Sequence, residues 1–276
     1  MLFRSGVYSI PQFLKEISVR IQKHFDNFGR LNSSVADSSF DTWLDGYVPG
    51  VPNKKVSIYD EGCLIALMTD LMIRRKTNNE KSLDDVMRAL HYDFAARKIG
   101  YAENDYISII ENLTNEGVAD FFIDYVYGTE DYEPLLTDLV SHFGLRLQKT
   151  LSKKSCEREY GFRTVEEAGA LKVLKIAPAS PADEAGLGKD DEIIAVNDLK
   201  VENNLEELIE HFRAAIVTLK VVTPMKKIKT ISLELSHDKY FYEYKLVRSE
   251  NPTTHQQKFF SDWMKSSVSK TYSFMN

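Results

Sequence analysis

The chain is expected to fold as an α+β, multidomain protein: an all-helical N-terminal lobe, then a small, partly open β-barrel with one closing helix, then a short C-terminal helix. Three observations carry that expectation. From about Ser9 to His142 apolar residues recur at helical spacing. Near Gly144 the pattern changes to short alternating or β-branched runs separated by turn residues. A single helical stretch, Leu205–Phe212, interrupts those runs. The 276 residues allow two ordinary domains, and 43% hydrophobic residues suffice for folded cores. The expected division is 1–143, 144–248 and a tail over 249–276.

The first helix begins where Ser9 and Gln12 can cap it reciprocally, with Pro11 in its first turn, and Phe13, Leu14, Ile17, Ile21 and Phe25 form its apolar stripe. From Tyr59 to about Arg75 a longer helix is apolar nearly all round, so it belongs in the centre of the lobe. Ser82 with Asp85 caps the next helix, whose stripe is Leu83, Val86, Leu90 and Phe94. Shorter helices are expected around Tyr106–Leu113, Val118–Tyr127 and Glu133–Phe143. The acids Asp84, Asp85, Glu130, Asp131 and Glu133 sit at helix starts, where the helix dipole favours negative charge, and need no catalytic reading.

Strands are expected at Leu145–Leu147, Phe162–Val165, Leu171–Ile176, Glu192–Val196, Val217–Val222, Ile228–Leu235 and Tyr240–Val247. Between them, Ser180 reads as an N-cap and Pro181 as the first residue of one helical turn that Gly186 ends. Asn197-Asp198 is a hairpin turn pair. A terminal helix over Gln256–Lys265 carries Phe259, Phe260, Trp263 and Met264.

The order S-P-A-x-x-A-G-L (Ser180–Leu187), then an apolar strand and an Asn-Asp turn, resembles a PDZ domain of the bacterial type. Such domains take an extended peptide as an added strand beside one of their own. The resemblance implies Phe162–Val165 as the receiving strand and Tyr160-Gly161 as the loop whose amides hold a terminal carboxylate. Leu205, Leu208, Ile209 and Phe212 would line the groove, and Arg163 would attract an acidic peptide end. The plainer reading is that these apolar residues form the module's core; both stay open.

A net charge of −6 argues against a general nucleic-acid binder. Lys220, Lys226, Lys227 and Lys229 flank the Thr223-Pro224 turn and read as a solvated hairpin tip. Cys63 and Cys156 form no CxxC; Cys63 reads as a small core residue and Cys156 as part of a polar loop, and the pair does not fix a compartment. No stretch is apolar and long enough to span a bilayer. The six histidines include no pair at the i, i+4 spacing of a zinc helix, and no HExxH, GxSxG, P-loop or dinucleotide glycine motif occurs.

LFRSG at the start, SVADSSFDTW (Ser34–Trp43), SIYDEG (Ser57–Gly62), SLDDVMRAL (Ser82–Leu90) and FFIDYVYGTEDYEPLLTDLVSHFGL (Phe121–Leu145) follow one another in this order. With a PDZ domain after them, they resemble the C-terminal part of the glycyl-aminopeptidase family of zinc metallopeptidases. The resemblance implies that the zinc-binding HExxH half precedes this segment. The chain would then be a fragment, inactive by itself, holding no cofactor, with zinc in the parent protein. Its expected partners are the missing N-terminal part of the catalytic domain, a peptide or protein C-terminus at the groove, and other copies of itself through apolar surface left uncovered.

By resemblance Tyr59 matches the tyrosine of the family's Y-x-K-G motif, whose phenol would stabilise the oxyanion of the tetrahedral intermediate. Glu61 stands where that motif has lysine, which would reverse a charge near the cleft. The alternative is a non-catalytic PDZ-containing scaffold, which the missing HExxH and Glu61 both favour.

Overall fold

The structure is a computed structural model that describes residues 6–45, 51–213 and 216–269. The opening LFRS segment therefore lies outside the described residues. The protein is α+β, and its chain divides into two compact units: 1–148 with 244–276, and 149–243.

In the first unit the helices are α1 (Ile10–Phe25), α2 (Val35–Asp45), α3 (Ile58–Lys76), α4 (Leu83–Asp93), α5 (Glu103–Thr114), α6 (Ala119–Phe122) and α7 (Tyr132–His142). A π-helical turn, Ile123–Tyr127, extends α6. The expected caps form: Gln12 Oε1 accepts from the Ser9 amide at 2.9 Å, and Asp85 Oδ2 from the Ser82 amide at 2.8 Å. The central helix is α3, which packs against α1 and α7 and buries Leu64, Leu67, Met68, Leu71 and Ile73.

Its buried face is less apolar than its sequence suggested, because Asp60, Glu61, Thr69, Asp70 and Arg74 are buried with it. These polar groups are tolerated because each finds a partner inside the unit. The C-terminal helix α11 (Thr254–Ser269) is longer than the expected Gln256–Lys265. It buries Phe259, Trp263 and Met264 and packs against α7.

The second unit holds a six-stranded antiparallel sheet: β2 (Phe162–Glu167), β3 (Ala170–Ile176), β4 (Glu192–Val196), β6 (Val217–Val222) and β7 (Ile228–Leu233) in that spatial order, with β5 (Leu199–Lys200) paired to β4. No pairing between β2 and β7 closes it among the described residues, so the sheet stays open. Val196 pairs with Leu199 across Asn197-Asp198, both at positive φ (44° and 63°), the backbone a type I′ hairpin needs.

The short helix α9 (Pro181–Glu184) starts at Ser180, whose Oγ accepts from the Asp183 amide at 3.3 Å. α10 (Leu205–Phe212) matches its expected bounds. β1 (Leu145–Leu151) and β8 (Tyr242–Arg248) form a separate two-stranded sheet.

One helix had no counterpart in the sequence reading. α8 (Ser155–Arg158) forms where a polar loop was expected, and it carries Cys156 into the core. Burial pushes that thiol well above its ordinary range, so it is a packing residue. Cys63, expected in the core, is only half-buried, and burial also raises its thiol.

Candidate functional site

Tyr59 lies in the first turn of α3. Ser57 caps that turn, its Oγ accepting from the Asp60 amide at 3.3 Å. Successive helical residues turn by about 100°, so Tyr59, Asp60 and Glu61 cannot face one way. Tyr59 is 66% exposed, whereas Asp60 and Glu61 are 8% and 2% exposed. Asp60 pairs with Arg20 of α1, and Glu61 receives His24 Nδ1 at 2.8 and 2.9 Å. These pairs pin the turn to α1 and hold Tyr59 on its outer side.

Glu61 turns inward from Tyr59, and its carboxylate pairs with the imidazole of His24 on α1. The Tyr132 hydroxyl, bonded to the Tyr125 carbonyl at 3.0 Å, is driven well above its usual range, first by burial and then by the neighbouring Glu61. His24 was missed as a partner because the histidines were read only for metal spacing. The available signal was its place in the apolar stripe between Ile21 and Phe25.

In the second unit the expected groove residues divide. Tyr160 and Phe162 are fully buried, and Leu205 and Ile209 face the same core. Leu208 and Phe212 are partly buried at its margin, and they are the α10 side chains left to line a groove. β2 is an edge strand, paired only to β3 among the described residues, so its outer edge is available for strand addition.

Arg163 is engaged inside the unit: its Nη2 lies 3.2 Å from Glu157 Oε2 and its guanidinium 4.6 Å from the centre of the Phe241 ring. Gly161 adopts φ +73° and packs directly on Ser180, so tight packing as well as loop geometry demands a glycine there. Its carbonyl accepts from the Ala177 amide at 2.8 Å, tying the loop to the start of the S-P-A turn.

Among the described residues no three His, Cys, Asp or Glu side chains converge to hold a metal ion, and the residues present do not fit a zinc site. No helix among them is long and apolar enough to cross a membrane.

The arrangement is a helical region, in which a buried, capped helix exposes a tyrosine at its start, followed in the chain by an antiparallel module whose β2 is an edge strand. Residues 1–65 match the family model of the M61 glycyl aminopeptidases. No curated protein sequence matches the chain. The crystal structure of an aminopeptidase N family protein from Idiomarina loihiensis is similar with a TM-score of 0.79 and 25% identity, over 95% of this chain and 46% of that one. The HtrA3 PDZ domain bound to a phage-derived ligand is similar with a TM-score of 0.22 and 18% identity, over 38% of this chain and 93% of that one. The first two matches bear out the resemblance to the glycyl-aminopeptidase family. The chain spans about half the length of the aminopeptidase relative it matches.

Proposed function

We propose that this chain is the C-terminal part of a zinc-dependent aminopeptidase of the glycyl-aminopeptidase kind, supplying Tyr59 to the active site and a PDZ-like module that binds peptide ends. The observation that carries this reading is Tyr59, exposed at the first turn of the otherwise buried α3. A phenol held there donates a hydrogen bond to the oxygen of a scissile carbonyl as negative charge develops on it. The pairs Arg20–Asp60 and His24–Glu61 fix the turn beforehand, so the donor needs no reorganisation during the reaction. Because Glu61 is buried and paired, its departure from the family's lysine does not speak against catalysis.

The metal-holding residues would lie in the part of the protein beyond this chain, and the chain alone is expected to be inactive. α2 supports the existence of a covering partner. Phe40, Trp43 and Leu44, at i, i+3 and i+4 on one helix face, are 79%, 86% and 76% exposed. The same face accounts for the expected self-association of the isolated chain.

The test is a glycyl- and alanyl-p-nitroanilide assay on the complete protein with Tyr59→Phe. Loss of the donor is expected to lower kcat by about 10²–10³ with KM little changed. An unchanged kcat would remove Tyr59 from the mechanism.

A second reading, a non-catalytic scaffold, is favoured by the free edge of β2. It shares one expected result with the first: peptides ending in a free carboxylate bind the second unit, and Leu208→Glu weakens them about tenfold or more, because it places a charge in an apolar groove. Equal affinity for C-terminally amidated peptides would rule out recognition of the carboxylate.

A further inference from the structure

The hairpin of β6 and β7 differs in charge from the rest of the protein. From Val217 to Leu233 it holds Lys220, Lys226, Lys227 and Lys229 and no acid, in a chain whose net charge is −6. Lysines protect the edge of a sheet, and β7 is an edge strand among the described residues. Edge protection does not account for Met225 and Ile228, which stand among the lysines and are 80% and 72% exposed.

The backbone fixes where these side chains lie. Residues directly opposite in an antiparallel pair share one face, and every second residue along a strand returns to it. Val222 pairs with Ile228 and Lys220 with Thr230, so Lys220 and Ile228 occupy one face of the hairpin. Lys229 pairs with the buried Val221 on the other face, and its Nζ donates to the Gly186 carbonyl at 2.6 Å. The turn is closed by its own bonds. The Lys226 amide donates to the Thr223 carbonyl at 2.8 Å, and the Thr223 amide to the Lys227 carbonyl at 2.9 Å. Met225, Lys226 and Lys227 are thus presented on a preformed, projecting end.

Much of the charge there is uncommitted. Lys226 and Lys227 are exposed and pair with no acid among the described residues. Two acids stand nearby: Asp198, which pairs with Lys220 at 2.5 Å, and Glu192 of β4, across from Val222. Both members of the Lys220 pair are exposed to water, which weakens its hold.

Apolar side chains flanked by free ammonium groups fit a partner that is anionic outside and apolar within. The boundary of a bilayer with anionic headgroups has that order. Methionine and isoleucine enter it, while the lysine stems follow and leave their charges at the level of the phosphates. A soluble polyanion would engage the lysines and leave Met225 and Ile228 in water.

We infer that the β6–β7 hairpin end docks reversibly on anionic lipid membranes, inserting Met225 and Ile228 and setting Lys226 and Lys227 among the headgroups. The inference needs neither the peptidase nor the peptide-binding reading. Co-sedimentation of this chain with vesicles of phosphatidylserine and phosphatidylcholine in equal parts, against vesicles of phosphatidylcholine alone, tests it.

The chain is expected to partition about tenfold or more in favour of the anionic vesicles. Lys226→Glu with Lys227→Glu should lower that partition about tenfold or more, because two attractions become repulsions. Met225→Ser with Ile228→Ser should lower it about tenfold as well, through lost apolar burial. All four side chains are exposed, so neither double variant should move the Tm. Equal partition into both kinds of vesicle would overturn the proposal. So would anionic binding that survives the lysine substitutions, such as binding through the exposed face of α2. Binding lost with the lysines but untouched by Met225→Ser and Ile228→Ser would also overturn it, by assigning the hairpin end to polyanions in general.

Discussion

Replacing Asp70 by alanine is expected to destabilise the helical unit by about 3–5 kcal/mol and to loosen α11 from it. Asp70 is 5% exposed on α3, and both its oxygens are used. Oδ2 accepts from Arg74 Nε at 2.9 Å and from Trp263 Nε1 at 3.2 Å, while Oδ1 accepts from the Leu83 amide at 2.9 Å. One carboxylate therefore joins α3, the first residue of α4 and the C-terminal helix.

Its removal leaves the guanidinium of Arg74, 3% exposed, buried without its carboxylate and strands two further donors. An uncompensated buried charge is what makes breaking such a pair more costly than never having had it. Asp70→Ala with Arg74→Ala should accordingly cost less than the sum of the two single changes. Urea unfolding followed by far-UV signal gives the stability, and the near-UV signal of Trp263 reports α11. A loss below about 1 kcal/mol, the size of an ordinary hydrogen bond, would show that water replaces the carboxylate and that the network is not cooperative.

Gly161→Ala is expected to damage the second unit almost as much. Gly161 adopts φ +73°, a region that costs an L-residue about 1–2 kcal/mol. An added methyl would also run into the Ser180 side chain, 2.6 Å from its Oγ, and into Tyr240 Cδ2 at 3.3 Å. Ser180 cannot retreat, because it is fully buried and caps α9. Overpacking of this kind adds about 1–3 kcal/mol.

Gly169→Ala separates the two contributions. Gly169 has φ +77° and nothing within 4 Å of an added methyl, so it should show the backbone cost alone. Thermal unfolding of the second unit's transition in both variants reads the difference. Equal losses would mean that the Ser180 contact relaxes freely.

Local chemistry was legible wherever a few adjacent residues carry it. Ser9 with Gln12, Ser82 with Asp85, Ser180 with Pro181 and Asn197 with Asp198 each satisfy their own backbone within four residues, so composition alone locates them. The strands Glu192–Val196 and Val217–Val222 and the helix Leu205–Phe212 have their expected bounds, since their apolar periods match the faces they bury. α2 was read only as a motif. Its most conspicuous apolar residues, Phe40, Trp43 and Leu44, are exposed, and helical periodicity in sequence is normally interpreted as a buried stripe.

By itself, then, the sequence determined the helical-then-stranded order, the caps and turns, the family resemblance and the candidacy of Tyr59. The tertiary structure decided which way each side chain of a shared turn faces. Tyr59 is outside while Glu61 is inside, because the carboxylate accepts from His24, 37 positions away on another helix. Cys156 is core because a four-residue helix packs it against strands far along the chain. Arg163 is held by Glu157 and Phe241. In each case the deciding energy is the burial of a polar or reactive group against residues remote in sequence, and such pairings exist only once the chain has folded.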